Sequence, residues 1–278
     1  MPIVSVVKGP RSHETVFKAL DLLGEEVRDA VKDAARVLIK VNLISTKTYE
    51  TGVTTDPLVV DALICKFKEF HGEVAVIEAD ATSTDADKAY KATGLDKICE
   101  SNDVKFINLS KEKERVKLPI PNHEVLKEIE VPKILLDSAI ISAAKMKTHE
   151  ETVVTLGMKN MFGLLPEKQK SKFHSLGIDK VIVDINTVLR PKLTVIDGFY
   201  ALEGPGPIRG KPVKMDLIIA GRDPVATDAT TCRIMDIDPH EVYHIRRAYE
   251  KGFGEIDSAK IRVVGERIET IKRKFRRK

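Results

Sequence analysis

The chain has 278 residues, enough to bury a large core, and its 42% hydrophobic fraction is that of an ordinary globule. No apolar run approaches the about 20 residues that cross a bilayer, which excludes a helical membrane protein. The net charge is only +4, with much of the excess in the terminal KRKFRRK; without a recognised binding motif this argues against a nucleic-acid partner, since basic residues also suit a helix end.

The opening MPIVSVVKGP runs straight into a strand-like segment and lacks the regions of a secretory signal, so a cytoplasmic protein is expected. Cys65, Cys99 and Cys232 are widely spaced and odd in number, and no CxxC occurs. Neither a disulfide framework nor an intrinsic iron–sulfur motif is therefore readable. A single glutamine, Gln169, no tryptophan and abundant Lys, Arg and Glu resemble the composition of proteins from hot environments.

IVSVV (3–7) leads into a helical pattern over about 12–24. VLIKV (37–41) leads through a loop into DPLVVDALICKFKEF (56–70), where Asp56 is a suitable cap and Pro57 suits the first turn. EVAVIEA (73–79) precedes a polar stretch and a short helix ending near Gly94, and VKFINL (104–109) follows. RVKLP and KEIEVP flank a Pro-Asn-His turn and read as a hairpin-like excursion. SAIISAAK (138–145) resumes the core pattern, with helices expected near 152–161 and over 178–190. LTVIDG (193–198) and MDLIIAG (215–221) are buried strands, DPVATDATTCRIMD (223–236) a helix, and, after a further short helix, IRVVG (261–265) a strand. This alternation predicts an α/β fold: a mainly parallel sheet with helices on both faces, plus a small β excursion around 110–135. One elaborated domain over 1–278 is expected, with the excursion as a small lobe.

Several strands end in polar residues, and in a parallel sheet such exits share one edge, where ligands bind. The exits are Lys40 with Asn42, Glu78 with Asp80, Lys145 with Lys147, Thr148 and His149, Asp197 with Gly198, and Arg222 with Asp223. Lys159 and Asn160 follow shortly after His149. Lysines at that edge suit a carboxylate or phosphate, and helix starts after Asp56 and Asp223 add N–H donors. Any single exit charge is more often a cap or turn residue than a ligand contact; the convergence carries the expectation. His149, beside lysines that favour its neutral form, is the candidate for proton transfer or metal binding. The loop EGPGPIRG (203–210) brings Glu203 and Arg209 towards the same edge. It is not a phosphate-binding P-loop, and no dinucleotide-type glycine turn follows the first strand.

His240-Glu241-Val242-Tyr243-His244 matches HExxH, in which two histidines one helical turn apart hold zinc and the glutamate is the base. Asp238 and Pro239 start a helix immediately before it, which places His240 in a fraying first turn.

With these residues in view, the chain resembles the domain of unknown function 362 family across nearly its whole length. The resemblance lies in VLIKVN (37–42), TTDPLVVDAL (54–63), KMKTHEETVVTLGMKNMFGLLP (145–166), TVIDGFYALEGPGP (194–207) and DPVATDA (223–229). Many members of that family carry a ferredoxin-like iron–sulfur segment, absent from this sequence, so the resemblance implies redox chemistry with a separate ferredoxin-like protein supplying electrons. Its architecture also looks distantly similar to nickel-pincer lactate racemases, which implies cofactor-assisted chemistry with histidine as acid or base.

The leading expectation is an enzyme that binds a small anionic substrate or cofactor, with Lys147 and His149 catalytic. Lys40, Lys145 and Lys159 supply charge, Asn42 and Asn160 orient, and Thr148, Asp197, Glu203 and Asp223 complete the ligand set. A bound metal or an externally supplied redox cofactor is compatible with it. The alternative is a non-enzymatic carrier or assembly protein for a metal, cluster or small anion; zinc hydrolysis through His240, Glu241 and His244 is the third reading.

Overall fold

The computed structural model describes residues 1–277. It is an α/β fold built on one large sheet of β1 (Ile3–Lys8), β2 (Arg36–Lys40), β3 (Val74–Glu78), β4 (Lys105–Asn108), β7 (Ser138–His149), β8 (Val153–Thr155), β9 (Leu193–Glu203), β10 (Lys211–Gly221) and β11 (Arg262–Gly265). The spatial order is β11-β1-β10-β9-β7-β2-β3-β4, with β8 added to β7. Within that order every strand runs the same way except β10, which lies antiparallel between β9 and β1. The 110–135 excursion is a separate antiparallel hairpin of β5 (Arg115–Pro119) and β6 (Glu128–Pro132).

Both faces of the sheet are covered, which is why its central strands are near-continuous apolar runs. On one face helices His13–Asp21 and Pro57–Lys68 pack their buried residues against Val37, Ile39, Ile141 and Val195. On the other, Ile182, Val225, Ala229 and Ile245, from helices Ile178–Val188, Pro224–Ile234 and Tyr243–Glu250, cover Ala144, Ile196 and Ile219. The hairpin lays Ile129 and Val131 on that second face, against Leu38 and Ile77. Asp56 caps its helix through Leu58 N–H with Pro57 in the first turn, as the sequence suggests.

Three expectations change. The strand at 138–145 continues to His149, past the last residue of β2, and the segment at 152–161 is β8 and a one-turn helix, Gly157–Asn160, rather than one long helix. β9 and β10 are long partners joined by the Gly/Pro loop. Because β10 is reversed, Arg222 and Asp223 leave the sheet at the edge opposite the other exits, where Gly221 pairs Thr194 at the start of β9. No helix among the described residues is long and apolar enough to cross a membrane.

Candidate functional site

A cavity of about 280 Å³ opens where β2, β3 and β7 end together. The overhang of β7 makes it. Beyond Lys145 the strand loses register with β9, and β8 folds back on it so that Lys147 faces Thr155 and His149 faces Val153. The chain then turns into the Gly157–Asn160 helix, whose first N–H groups, on Gly157 and Met158, donate to the Asp228 carboxylate at 2.8 and 2.9 Å. Asn160 is thereby fixed at the strand ends: its amide donates to Lys40 O and Ser142 Oγ, and its oxygen accepts from Asn42.

Lys40 forms the floor as a buried ion pair with Glu78 at 2.6 Å, and Glu78 also accepts the N–H groups of Leu43 and Ala79. That charge is neutralised within the protein. A side chain at Gly163 would strike the Lys40 ammonium, so close packing dictates glycine there. Lys147 is fully buried and has no carboxylate: its Nζ donates to Asn42 Oδ1 at 2.7 Å and to Val53 O at 2.8 Å. Burial, reinforced by Lys145 and Lys159, pushes its pKa well below that of a free lysine. Lys159 and Lys170 are also buried, line the same cavity and make no ion pair among the described residues. Burial brings each ammonium down to about 8. The ring of Phe162 lies 5.7 Å from the Lys159 nitrogen and 5.4 Å from that of Lys170.

His149 Nδ1 accepts the N–H groups of Glu151 and Thr152, so the ring proton is on Nε2. Burial, with Lys159 and Lys147 nearby, pushes its pKa down to about 2, and the ring is a neutral hydrogen-bond donor. Thr155 Oγ1, buried in the wall, has no hydrogen-bond partner. At the rim Glu151 pairs with His174 at 2.8 Å, Glu150 with Arg209 at 3.4 Å, and Pro207 and Ile208 of the Gly/Pro loop close one side.

Lys40, Asn42, Glu78, Lys147, His149, Lys159 and Asn160 are thus brought together, whereas Lys145, Thr148, Asp197, Glu203 and Asp223 are not. Lys145 and Asp197 lie within the sheet as a fully buried pair at 2.7 Å, with Asp197 also accepting Asp56 N–H. Thr148 turns away and donates to Gly204 O. Glu203 accepts Arg276 N–H and faces Arg273, which ties down the basic C-terminal segment; Lys278 lies outside the described residues. Asp223 caps its own helix through Ala226 N–H and also accepts from Glu255.

Sequence reasoning missed Lys170, Thr155, Phe162 and His174 in this cavity. Glu78 was visible as a strand exit, but nothing in the sequence showed it as the partner of Lys40.

HExxH does not form a zinc-binding turn. His240 and Glu241 lie in a 3-10 turn, Val242 breaks the helix with ψ 104°, and His244 lies in the first turn of the next helix. His244 Nδ1 contacts Asp179 at 2.7 Å, and Glu241 is paired with Arg277. Among the described residues no three His, Cys, Asp or Glu side chains converge as metal ligands, His149 included. The donor set also does not fit an iron–sulfur cluster. Cys65, Cys99 and Cys232 supply fewer than four thiols, and burial raises each thiol pKa, away from the thiolate that iron requires.

A thylakoid-associated protein of Synechocystis sp. is 27% identical to this chain over 216 residues, which cover 75% of this chain and 65% of that protein. The chain therefore spans a little under two thirds of the length of the curated relative it matches. Residues 37–233, which include every lysine of the cavity, match the family described as Domain of unknown function (DUF362), and the chain belongs to that family.

Proposed function

We propose that this chain binds a small carboxylate- or phosphate-bearing molecule at the carboxyl edge of its sheet and transforms it there. One observation carries the reading: Lys159 and Lys170 line a single cavity with no carboxylate partner among the described residues, whereas Lys40 and Lys145 each have one. A buried, unpaired cation is costly, and an anion entering the cavity supplies the missing charge. The unpartnered Thr155 hydroxyl and the Nε2–H of His149 add neutral donors to the same wall. Lys159 and Lys170 hold the anion. His149 orients it by donation, since its ring is too weak a base to take a proton near neutrality.

The family resemblance points to redox chemistry. Because these cysteines do not fit a cluster, electrons for that role would come from a ferredoxin-like centre outside the described residues. A carrier function would use the same residues without turnover.

Calorimetric titration with inorganic phosphate and with acetate tests the reading. Binding of at least one is expected, with Lys159→Gln and Lys170→Gln each weakening it about tenfold, or about 1.4 kcal/mol. Unchanged affinity in both variants would sink the proposal. Turnover of a bound candidate substrate separates enzyme from carrier.

A further inference from the structure

Lys147 stands apart from the other lysines of this edge. The nitrogens of Lys40 and Lys145 are each paired with a carboxylate, of Glu78 and Asp197. Those of Lys159 and Lys170 lie over an aromatic ring with no hydrogen-bond acceptor among the described residues. Lys147 alone is held by two neutral acceptors, Asn42 Oδ1 at 2.7 Å and Val53 O at 2.8 Å. A neutral amine has two N–H bonds and one lone pair. Two acceptors use both N–H bonds, so the lone pair is left for the cavity that the residue lines. Burial beside other cations favours that uncharged form, the environment in which lysines act as nucleophiles.

We propose that Lys147 Nζ condenses with the carbonyl carbon of a small aldehyde or ketone that carries a carboxylate or phosphate, forming an imine in this cavity. The inference rests on the anion-binding reading, which places the charged end of the molecule on Lys159 and Lys170. The nitrogen lone pair forms the N–C bond as the carbonyl π bond opens onto oxygen. The amine proton passes to that oxygen to give a carbinolamine. Loss of water then forms C=N, and the second amine proton departs with the leaving oxygen. Both hydrogens lost by nitrogen are in the water released, so no oxidant or reductant takes part, and hydrolysis returns the amine. Lys159, with an ammonium that titrates at about 8, is suited to protonate the departing hydroxyl and recover the proton afterwards. The imine draws electrons from the adjacent carbon, so the substrate class is one in which a bond at that carbon breaks.

The test is reductive trapping on the intact chain with sodium cyanoborohydride, using pyruvate as the carboxylate probe and, separately, glycolaldehyde phosphate as the phosphate probe. The expected result is one reduced adduct per chain with at least one probe, placed on Lys147 by peptide mapping and suppressed by excess inorganic phosphate or acetate. The probe that labels faster tells which anion the cavity prefers. Lys147→Met removes the condensing amine without adding a charge and is expected to lose the adduct, with its unfolding transition showing that it folds. Adducts scattered over surface lysines, or on Lys159 or Lys170 in place of Lys147, overturn the inference. So does the absence of any adduct; if phosphate or acetate still binds by calorimetry, the anion reading survives that failure. Absence of both binding and labelling overturns the two together.

Discussion

Lys159 and Lys170 take the same place in the site, each beside the ring of Phe162. Each nitrogen sits within 6 Å of the Phe162 centroid, the range in which an ammonium is attracted to a ring face. Burial lowers both groups to about 8, offset in part by the more distant carboxylates of Asp179 and Glu151 for Lys159 and of Glu78 and Glu167 for Lys170. The direction for ligand binding follows. An anion needs the ammonium form, which is complete well below 8 and lost as pH rises through it. Affinity for sulfate, whose own charge does not change in this range, is therefore expected to be flat near pH 6 and to fall above 8. The fall approaches tenfold per pH unit for each lysine that must be charged. Calorimetric titrations across that range check it, and an affinity that rises with pH would falsify the assignment. Burial beside Lys145 and Lys159 shifts Lys147 in the same direction. In the sequence Lys159 stood out beside Asn160, whereas Lys170 was hidden in EKQKSK, a run indistinguishable from a solvated loop. Only the turn that follows Phe162 brings it inward.

At the scale of elements, the site depends on a short helix anchored by another. The Gly157–Asn160 turn is four residues long, too short to hold itself in water, and its two leading N–H groups are buried. Asp228, in the Pro224–Ile234 helix, accepts both, and burial raises its carboxyl pKa to about 7. Asp228→Ala leaves two buried donors unpaired at about 1–3 kcal/mol each. The expected outcome is a loss of about 2–6 kcal/mol in urea unfolding, together with weakened phosphate binding as Lys159 and Asn160 lose their platform. Full retention of both would show that this cap is dispensable. The sequence resemblance included DPVATDA, yet only the structure shows that its second aspartate supports KNMFG. The strand-to-helix division at 152–161 was not legible for a related reason. Val153, Val154 and Thr155 are β-branched and suit a strand, but the partner they pair with is the overhang of β7, a feature of tertiary structure. Val153 also takes φ +65°, costly for a β-branched residue and not visible in any local pattern.

The whole molecule turns on the seam between β7 and β9, where the β2-β3-β4 half of the sheet meets the β10-β1-β11 half. The alternation of strands and helices made the parallel sheet legible, but not the reversal of β10. The segments read as strands, 193–198 and 215–221, leave a gap long enough for a crossover. In the fold, both strands extend into that gap and only the loop after Glu203 separates them, too short for anything but a hairpin. The same seam absorbs Lys145 and Asp197, which sequence reasoning assigned to the ligand. Lys145 Nζ meets Asp197 Oδ2 at 2.7 Å, Asp197 accepts Asp56 N–H at 2.8 Å, and Asp56 is held by Arg11 at 2.7 and 2.8 Å. One buried network thus joins both halves to the start of the Pro57–Lys68 helix. Lys145→Met removes the cation and leaves Asp197 buried beside Asp56, with Arg11 as the remaining counter-charge. A loss of about 3–5 kcal/mol in denaturant unfolding is expected, the cost of breaking rather than replacing a buried pair. Lys145→Met combined with Asp197→Asn removes both charges while keeping an acceptor for Asp56 N–H, and is expected to recover most of that loss. Equal instability in the single and double variants would mean that packing of the lysine stem, rather than its charge, secures the seam.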